Sequence, residues 1–276
     1  MTSVQVIPRE LSVILDSNPA TGAIERTADG SGFTVQLNEP LMIPSNAINP
    51  TIDVEESAIW YSTPNIFSGG VKKNNGFRIR NLNVGPTNYD LIIPAGLYSV
   101  LSIQDAMNFA VQQELTISED VIELRSNDSL GRVELILDSG WEIEFVEPGG
   151  SLSGILGFQF NLTYTSGIVN IGQTTPKINS VNFYLIQCDL VADGIRFNNT
   201  YRQIIETVLI DVPPRDLIIT RPFNPPTIDG SMLAGNPRTK IRVQLLTDNL
   251  EPADTDGEYY YLRLAIRWLE PIKIES

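Results

Sequence analysis

The stretch "EYYYLRLAIRWLEP", residues 258–271, decides the fold class. Tyr260, Leu262, Leu264, Ile266 and Trp268 share one parity; Tyr259, Tyr261, Arg263, Ala265 and Arg267 share the other. A two-residue period sends these sets to opposite faces of a strand, one buried and one facing solvent. Upstream, "RTKIRVQLLTD" (238–248) sets Ile241, Val243 and Leu245 against Lys240, Arg242 and Gln244 in the same way. "NLEPADTDGE" between them is rich in turn formers, so the spacing predicts an antiparallel hairpin.

Working outward, strands are expected near 33–38, 51–61, 77–82, 178–190, 203–212 and 216–221, separated by proline, glycine and asparagine. With 238–246 and 258–269 they make eight, the complement of one jelly roll. In "TIDVEESAIWY" (51–61), Ile52, Val54, Ala58 and Trp60 read as one face, and Glu56 interrupts the alternation as a bulge would.

Between the third and fourth of these strands the texture changes. In "IPAGLYSVLSIQDAMN" (93–108), Ser102 reads as a helix cap with Asp105 at the third position, followed by Ile103, Ala106, Met107, Ala110 and Val111 at helical spacing. Three short strands follow, carrying Ile122 and Leu124, then Val133, Leu135 and Leu137, then Trp141, Ile143 and Phe145. Leu152, Ile155 and Leu156 suit a second helical turn. The fold expected is mainly β: a single eight-stranded jelly-roll β-sandwich (32–87 and 163–276) with an inserted small α+β domain (88–162). Residues 1–31, polar and rich in small side chains over "SNPATGAIERTADGSG", read as an extended N-terminal arm.

Composition narrows the chemistry. The 276 residues hold 19 basic and 33 acidic side chains, a formal charge of −14 that repels phosphate backbones, so no direct nucleic-acid contact is expected. No apolar run approaches the ~20 residues of a transmembrane helix. The first residues lack the basic and apolar regions of a secretory signal, and folding in a cytoplasm is expected. There is no histidine, which excludes Ser-His-Asp and Cys-His nucleophile systems, His-ligated zinc and imidazole proton shuttles. The single cysteine, Cys188, lies in apolar "VNFYLIQCDLV" and reads as a buried strand thiol.

Five features could be mistaken for sites. Asp254, Asp256 and Glu258 resemble the start of a calcium loop, but Ala265 stands where its last glutamate belongs, leaving a solvated turn. Glu55 and Glu56 are adjacent, and neighbouring strand residues point to opposite faces. "GGVKKNNG" (69–76) lacks the order of a phosphate-binding loop. Asn127, Asn161 and Asn198 stand in glycosylation sequons, which matter only in a secretory lumen. Tyr259 and Tyr261 face outward and suit a subunit contact better than ligand stacking. No catalytic, cofactor-binding or metal-ligating residue is singled out, no cofactor is expected, and the chain is not read as an enzyme.

The order of parts resembles a known family. "AIWYSTPNI", "NNGFRI", "YDLIIPAGLYSVLSIQDAMNFA", "GWEIEFVEPGGSLSGILGF", "KIRVQLLTDNLEP" and "EYYYLRLAIRWLEP" together are similar to the penton, or vertex, capsid proteins of tailless icosahedral double-stranded DNA viruses of the virophage and adenovirus-like lineage. The resemblance implies a structural virion protein, five copies closing each vertex, a neighbouring major capsid protein as partner and an insertion available to a host receptor or spike. A major capsid protein of the same lineage, or a receptor- or carbohydrate-binding jelly-roll module, is the alternative.

Overall fold

The computed structural model describes residues 3–85, 87–146, 150–198 and 200–274. The elements begin with β1 (Ser3–Asp16), β2 (Ala23–Ile24), β3 (Gly32–Leu41) and β4 (Ile48–Trp60). Next come β5 (Gly76–Asn81), β6 (Asn88–Ile92), α1 (Val100–Leu115), β7 (Ile122–Asn127), β8 (Arg132–Leu137), β9 (Trp141–Glu144), α2 (Ser153–Leu156), β10 (Thr163–Thr165) and β11 (Asn170–Ile171). The last are β12 (Phe183–Cys188), β13 (Arg196–Phe197), β14 (Thr200–Tyr201), β15 (Ile204–Leu209), β16 (Leu217–Thr220), β17 (Ile228–Asp229), β18 (Arg238–Thr247) and β19 (Tyr261–Ile274). Two compact units result, Met1–Thr63 with Val181–Ser276, and Pro64–Ser180.

The first unit is a jelly roll. One sheet runs β1-β19-β4-β16, with β17 also on β4; the other runs β15-β12-β18-β3-β2. Numbering the eight principal strands β1, β3, β4, β12, β15, β16, β18 and β19 in order, the sheets read 1-8-3-6 and 2-7-4-5, the double Greek key of a jelly roll. Alternate residues fill the space between them: Val54, Ile59, Leu262, Leu264 and Ile266 from one sheet, Phe33, Tyr184, Ile186, Ile241 and Val243 from the other, all buried. Each such side chain contributes roughly 1.5–3 kcal/mol. The Phe33 and Tyr260 rings meet edge to face at 5.3 Å, and the Tyr260 hydroxyl donates to the Ser31 carbonyl at 2.7 Å.

Several expectations change here. The total of eight strands stands, but one member differs: 77–82 does not belong to the sandwich, and its place is taken by β1. Residues 3–31 are therefore not an arm. β1 pairs with β19 along its whole length, from Ser3 opposite Ile274 to Asp16 opposite Tyr261. Ala23 and Ile24 pair with β3, and Asp29 accepts bonds from Thr27 and Ser31. β1 was hard to read because only Leu15, among its described side chains, is buried. Backbone pairing at a sheet edge leaves little alternation in the sequence.

The expected hairpin also dissolves. β18 pairs with β3 and β12, whereas β19 pairs with β1 and β4. Both strands have one buried face, so alternation alone could not show that they lie in opposite sheets. In β4 the register against β19 slips between Arg263 and Leu264, leaving Glu55 as the extra residue. Past this bulge the parity inverts: Ile59 is buried and Trp60 exposed, the reverse of the expected face.

The second unit has its own core. Twenty-one buried residues between Ile66 and Tyr164 form one cluster, in which Phe145, Phe158 and Tyr164 pack ring to ring. Two sheets contribute, β10-β9-β5-β6 and β11-β8-β7. β5 belongs here because Phe77 and Ile79 are buried in this cluster and its neighbours are β6 and β9. α1 buries Ile103, Met107 and Val111, as its spacing predicts. Its cap is Ser99, three residues before the expected Ser102; the two serines form a reciprocal capping box. Helix α2 ends at Gly157, where φ is 81° and a Cβ would lie 2.2 Å from the Thr174 carbonyl oxygen.

Buried asparagines, which carry no periodic signal, tie this unit together. Asn65 accepts from the Tyr98 N–H and donates to the Tyr98 and Ile178 carbonyls, while Ser180 Oγ donates to the Pro64 carbonyl at 3.1 Å. The two ends of the insertion are thereby tied together. Asn108, on α1, donates to the Ile122 carbonyl and accepts from the Val121 and Ile122 N–H groups. Replacing Asn108 with alanine strands three buried backbone groups, and a loss of roughly 1–3 kcal/mol is expected. Hydrogen exchange on the full chain checks it: the Val121 and Ile122 amides lose protection first.

Candidate functional site

The outward face of the β1-β19-β4-β16 sheet carries the densest charge arrangement in the first unit. Arg267 of β19 receives Glu10 from β1 at 2.8 Å, and Asp53 and Glu55 from β4, the latter at 2.8 Å. Arg263 adds a contact to Glu55 at 3.2 Å, and Arg9 pairs with Glu270 at 2.7 Å. On the far side of β4, Glu56 accepts from Arg221 at 3.0 Å and from the Tyr261 hydroxyl. A planar guanidinium with five donors can serve three carboxylates at once. The Glu10 carboxylate is the chief reason that the Arg267 guanidinium is held above its ordinary range.

The bulge makes this arrangement possible. Glu55 and Glu56 both join the outward network, where strict alternation would have separated them. Their oxygens are occupied by arginines and a tyrosine, and hydrogen bonds from Arg221 and then Tyr261 hold Glu56 below the usual carboxylate range. An ionised, clamped carboxylate is a strut across strands and a poor proton donor. Asp53 lies beneath the canopy at 5% exposure, with Oδ1 unpaired.

The other sequence features resolve as follows. Asp254 accepts from the Asp256 N–H, closing a turn; among the described residues no three acidic or cysteine side chains group as metal ligands. In 69–76, Asn74 accepts from the Phe67 N–H and donates to the Asn65 carbonyl, and Asn75 donates to the Ile93 carbonyl, so the loop is anchored. Asn127 is engaged with Glu134, while Asn161 and Asn198 occupy left-handed backbone positions. Tyr260 is buried, and Tyr259 is exposed with Arg26 4.7 Å over its ring. Burial pushes the Cys188 thiol up to about 12, which keeps it inert.

A cavity of about 440 Å³ opens on the β10-β9-β5-β6 sheet of the insertion beside Gly76, Leu91 and Ser151. Arg78 crosses it, bound to Asp90 at 2.6 Å and facing Glu144 at 3.6 Å. A second cavity, about 300 Å³, lies among Gln187, Asp189, Gln203, Arg242 and Gln244 on the first unit.

No protein-family model matches the chain, and no curated protein sequence does. Among solved structures, the selenomethionine-labelled mavirus penton protein aligns over 96% of this chain and 99% of that one, at 12% identity and a TM-score of 0.48.

Sequence reading missed Asp53, Arg267 and Glu206. Asp53 and Arg267 stood at outward positions of strands whose mutual register was unknown. Glu206 on β15 is 6% exposed, with Oε1 accepting the Thr207 N–H and Oε2 unpaired. Desolvation raises it above the ordinary glutamate range.

Two outcomes follow for stability. Removing Arg267 leaves Asp53 buried without its cation, so Arg267→Ala costs about 2 kcal/mol or more in denaturant unfolding, and Arg267→Lys, lacking the fork, recovers only part. For Glu206 the folded state holds the proton more tightly than the unfolded chain. Its contribution is intact below the ordinary glutamate range and is lost as pH rises through the raised value. Glu206→Gln is therefore expected to match the parent at low pH and exceed it in melting temperature at neutral pH.

Proposed function

We propose that this chain is a structural capsid protein that closes the fivefold vertices of an icosahedral double-stranded DNA virus as a homopentamer. The observation that carries the reading is architectural: one jelly roll, interrupted in a single connection by a unit with its own core and tied ends. Resemblance in sequence to vertex proteins supports the same role. A jelly roll presents two sheet edges to its neighbours, and a ring requires one flank to fit the other heterologously. The insertion is then free to meet a receptor or spike without disturbing ring contacts. The major capsid alternative calls for two fused sandwiches, about sixteen strands, and the principal strands of the first unit number eight.

On this reading the partners are other copies of the chain and a major capsid protein, and the site of action is the virion. Electron microscopy of particles tests it: density for the chain is expected at fivefold positions, and density at pseudo-hexagonal positions would overturn it. A second measurement separates the two units. Excising 64–180 and joining Thr63 to Val181 by a short linker should leave vertex incorporation intact while removing any receptor binding.

A further inference from the structure

Phe223 is 96% exposed, in the loop between β16 and β17. Its surroundings are "RPFNPPT" (221–227), where Pro222, Pro225 and Pro226 restrict the backbone. A large aromatic held outward by a stiff loop has little entropy left to lose on docking, which is the profile of an interface anchor. The loop carries one positive charge, Arg221, in a chain of −14.

A receptacle lies elsewhere on the same sheet, across β1, β19 and the start of β4. Where the β1–β19 pair runs past β4, a cavity of about 330 Å³ is lined by Pro8, Asn49, Trp268 and Leu269 and rimmed by Arg9 and Glu10. Beside it Asn49, in the left-handed conformation at φ 49°, stands in a second register shift between β4 and β19, after which Leu269 and Ile48 pair again. The Trp268 indole N–H has no hydrogen-bond partner there.

The two features lie at different places on the sheet. β16 pairs with Ser57–Trp60 and β17 with Thr51–Ile52, so the Phe223 loop leaves the edge between those levels, and the cavity is level with Ile48–Thr51. A knob and a hole on different parts of one unit, neither filled by the described residues, make a heterologous contact that repeats head to tail and can close a ring. We propose that Phe223 of one copy seats in the Pro8–Asn49–Trp268–Leu269 cavity of the next. This rests on the vertex reading and names the contact through which copies associate.

Cross-linking of the full-length chain tests it, since Cys188 is buried and unreactive. Asn224→Cys places a thiol beside the knob and Arg9→Cys one on the rim. A mixture of the two chains, treated with a short bis-maleimide, should link efficiently, and each chain alone should not. Adding Phe223→Ala to the Asn224→Cys chain should lower linkage about tenfold or more at equal concentration; a side chain this exposed can be removed without unfolding the protein. Linkage in single-variant controls equal to that of the mixture, or linkage indifferent to Phe223→Ala, overturns the contact. If sizing shows oligomers of the parent chain but the mixture stays unlinked, this contact is wrong and the vertex reading stands. If the chain does not self-associate, the contact is overturned, and the position of the chain in particles decides the vertex reading independently.

Discussion

The first unit depends on β19, a long strand paired on both sides. Its residues are matched with β1 along one edge and with β4 along the other, so removing its hydrogen bonds would part β1 from β4 and the strands paired to it. Its inward side chains, Leu262, Leu264 and Ile266, are fully buried, while its outward arginines gather carboxylates from both neighbours. One strand thus supplies apolar burial on one face and electrostatic cross-bracing on the other. Exposed ion pairs contribute little one at a time, typically 0–1 kcal/mol. Here the fork of Arg267 reaches a buried carboxylate, and the arrangement fixes register as much as it adds stability.

Two interruptions in β4 shape what this sheet offers to the outside. The bulge at Glu55 inverts parity, placing two glutamates in the outward network and turning Trp60 to the surface opposite Leu217. The shift at Asn49 stands beside the cavity at Trp268. Each is a one-residue irregularity, and each moves side chains that regular pleating would have placed elsewhere. Mutations that restored perfect alternation would bury a charge or reshape the cavity lining, so these irregularities belong to the surface design.

The sequence disclosed the architecture better than its wiring. Alternation in 258–268 and 240–245 identified buried strand faces correctly, and the helical spacing of Ile103, Met107 and Val111 identified the side of α1 that is buried. Pairing partners were not legible, because a strand with one buried face looks the same whether its neighbour in sequence lies beside it or across the core. The strand β1 escaped notice for the opposite reason: its order comes from backbone bonds, which every residue can make. The bulge was visible at Glu56, but its consequence for Ile59 and Trp60 needed the register. Asn65, Asn108 and Glu206 carry no periodic signature at all, since a single buried polar group is specified by its partners.

The place of the insertion follows from loop physics. β4 and β12 are the third and fourth principal strands and lie in opposite sheets, so their connection must leave one sheet and enter the other. Closing a long flexible loop there would cost only slightly more entropy than a short one, because the cost grows with the logarithm of length. A folded insertion removes even that excess: Asn65, with the Ser180–Pro64 bond, holds its ends together. Its core is built from residues between Ile66 and Tyr164. An insertion that closes its own ends and fills its own core can change its outer surface while that packing stays fixed.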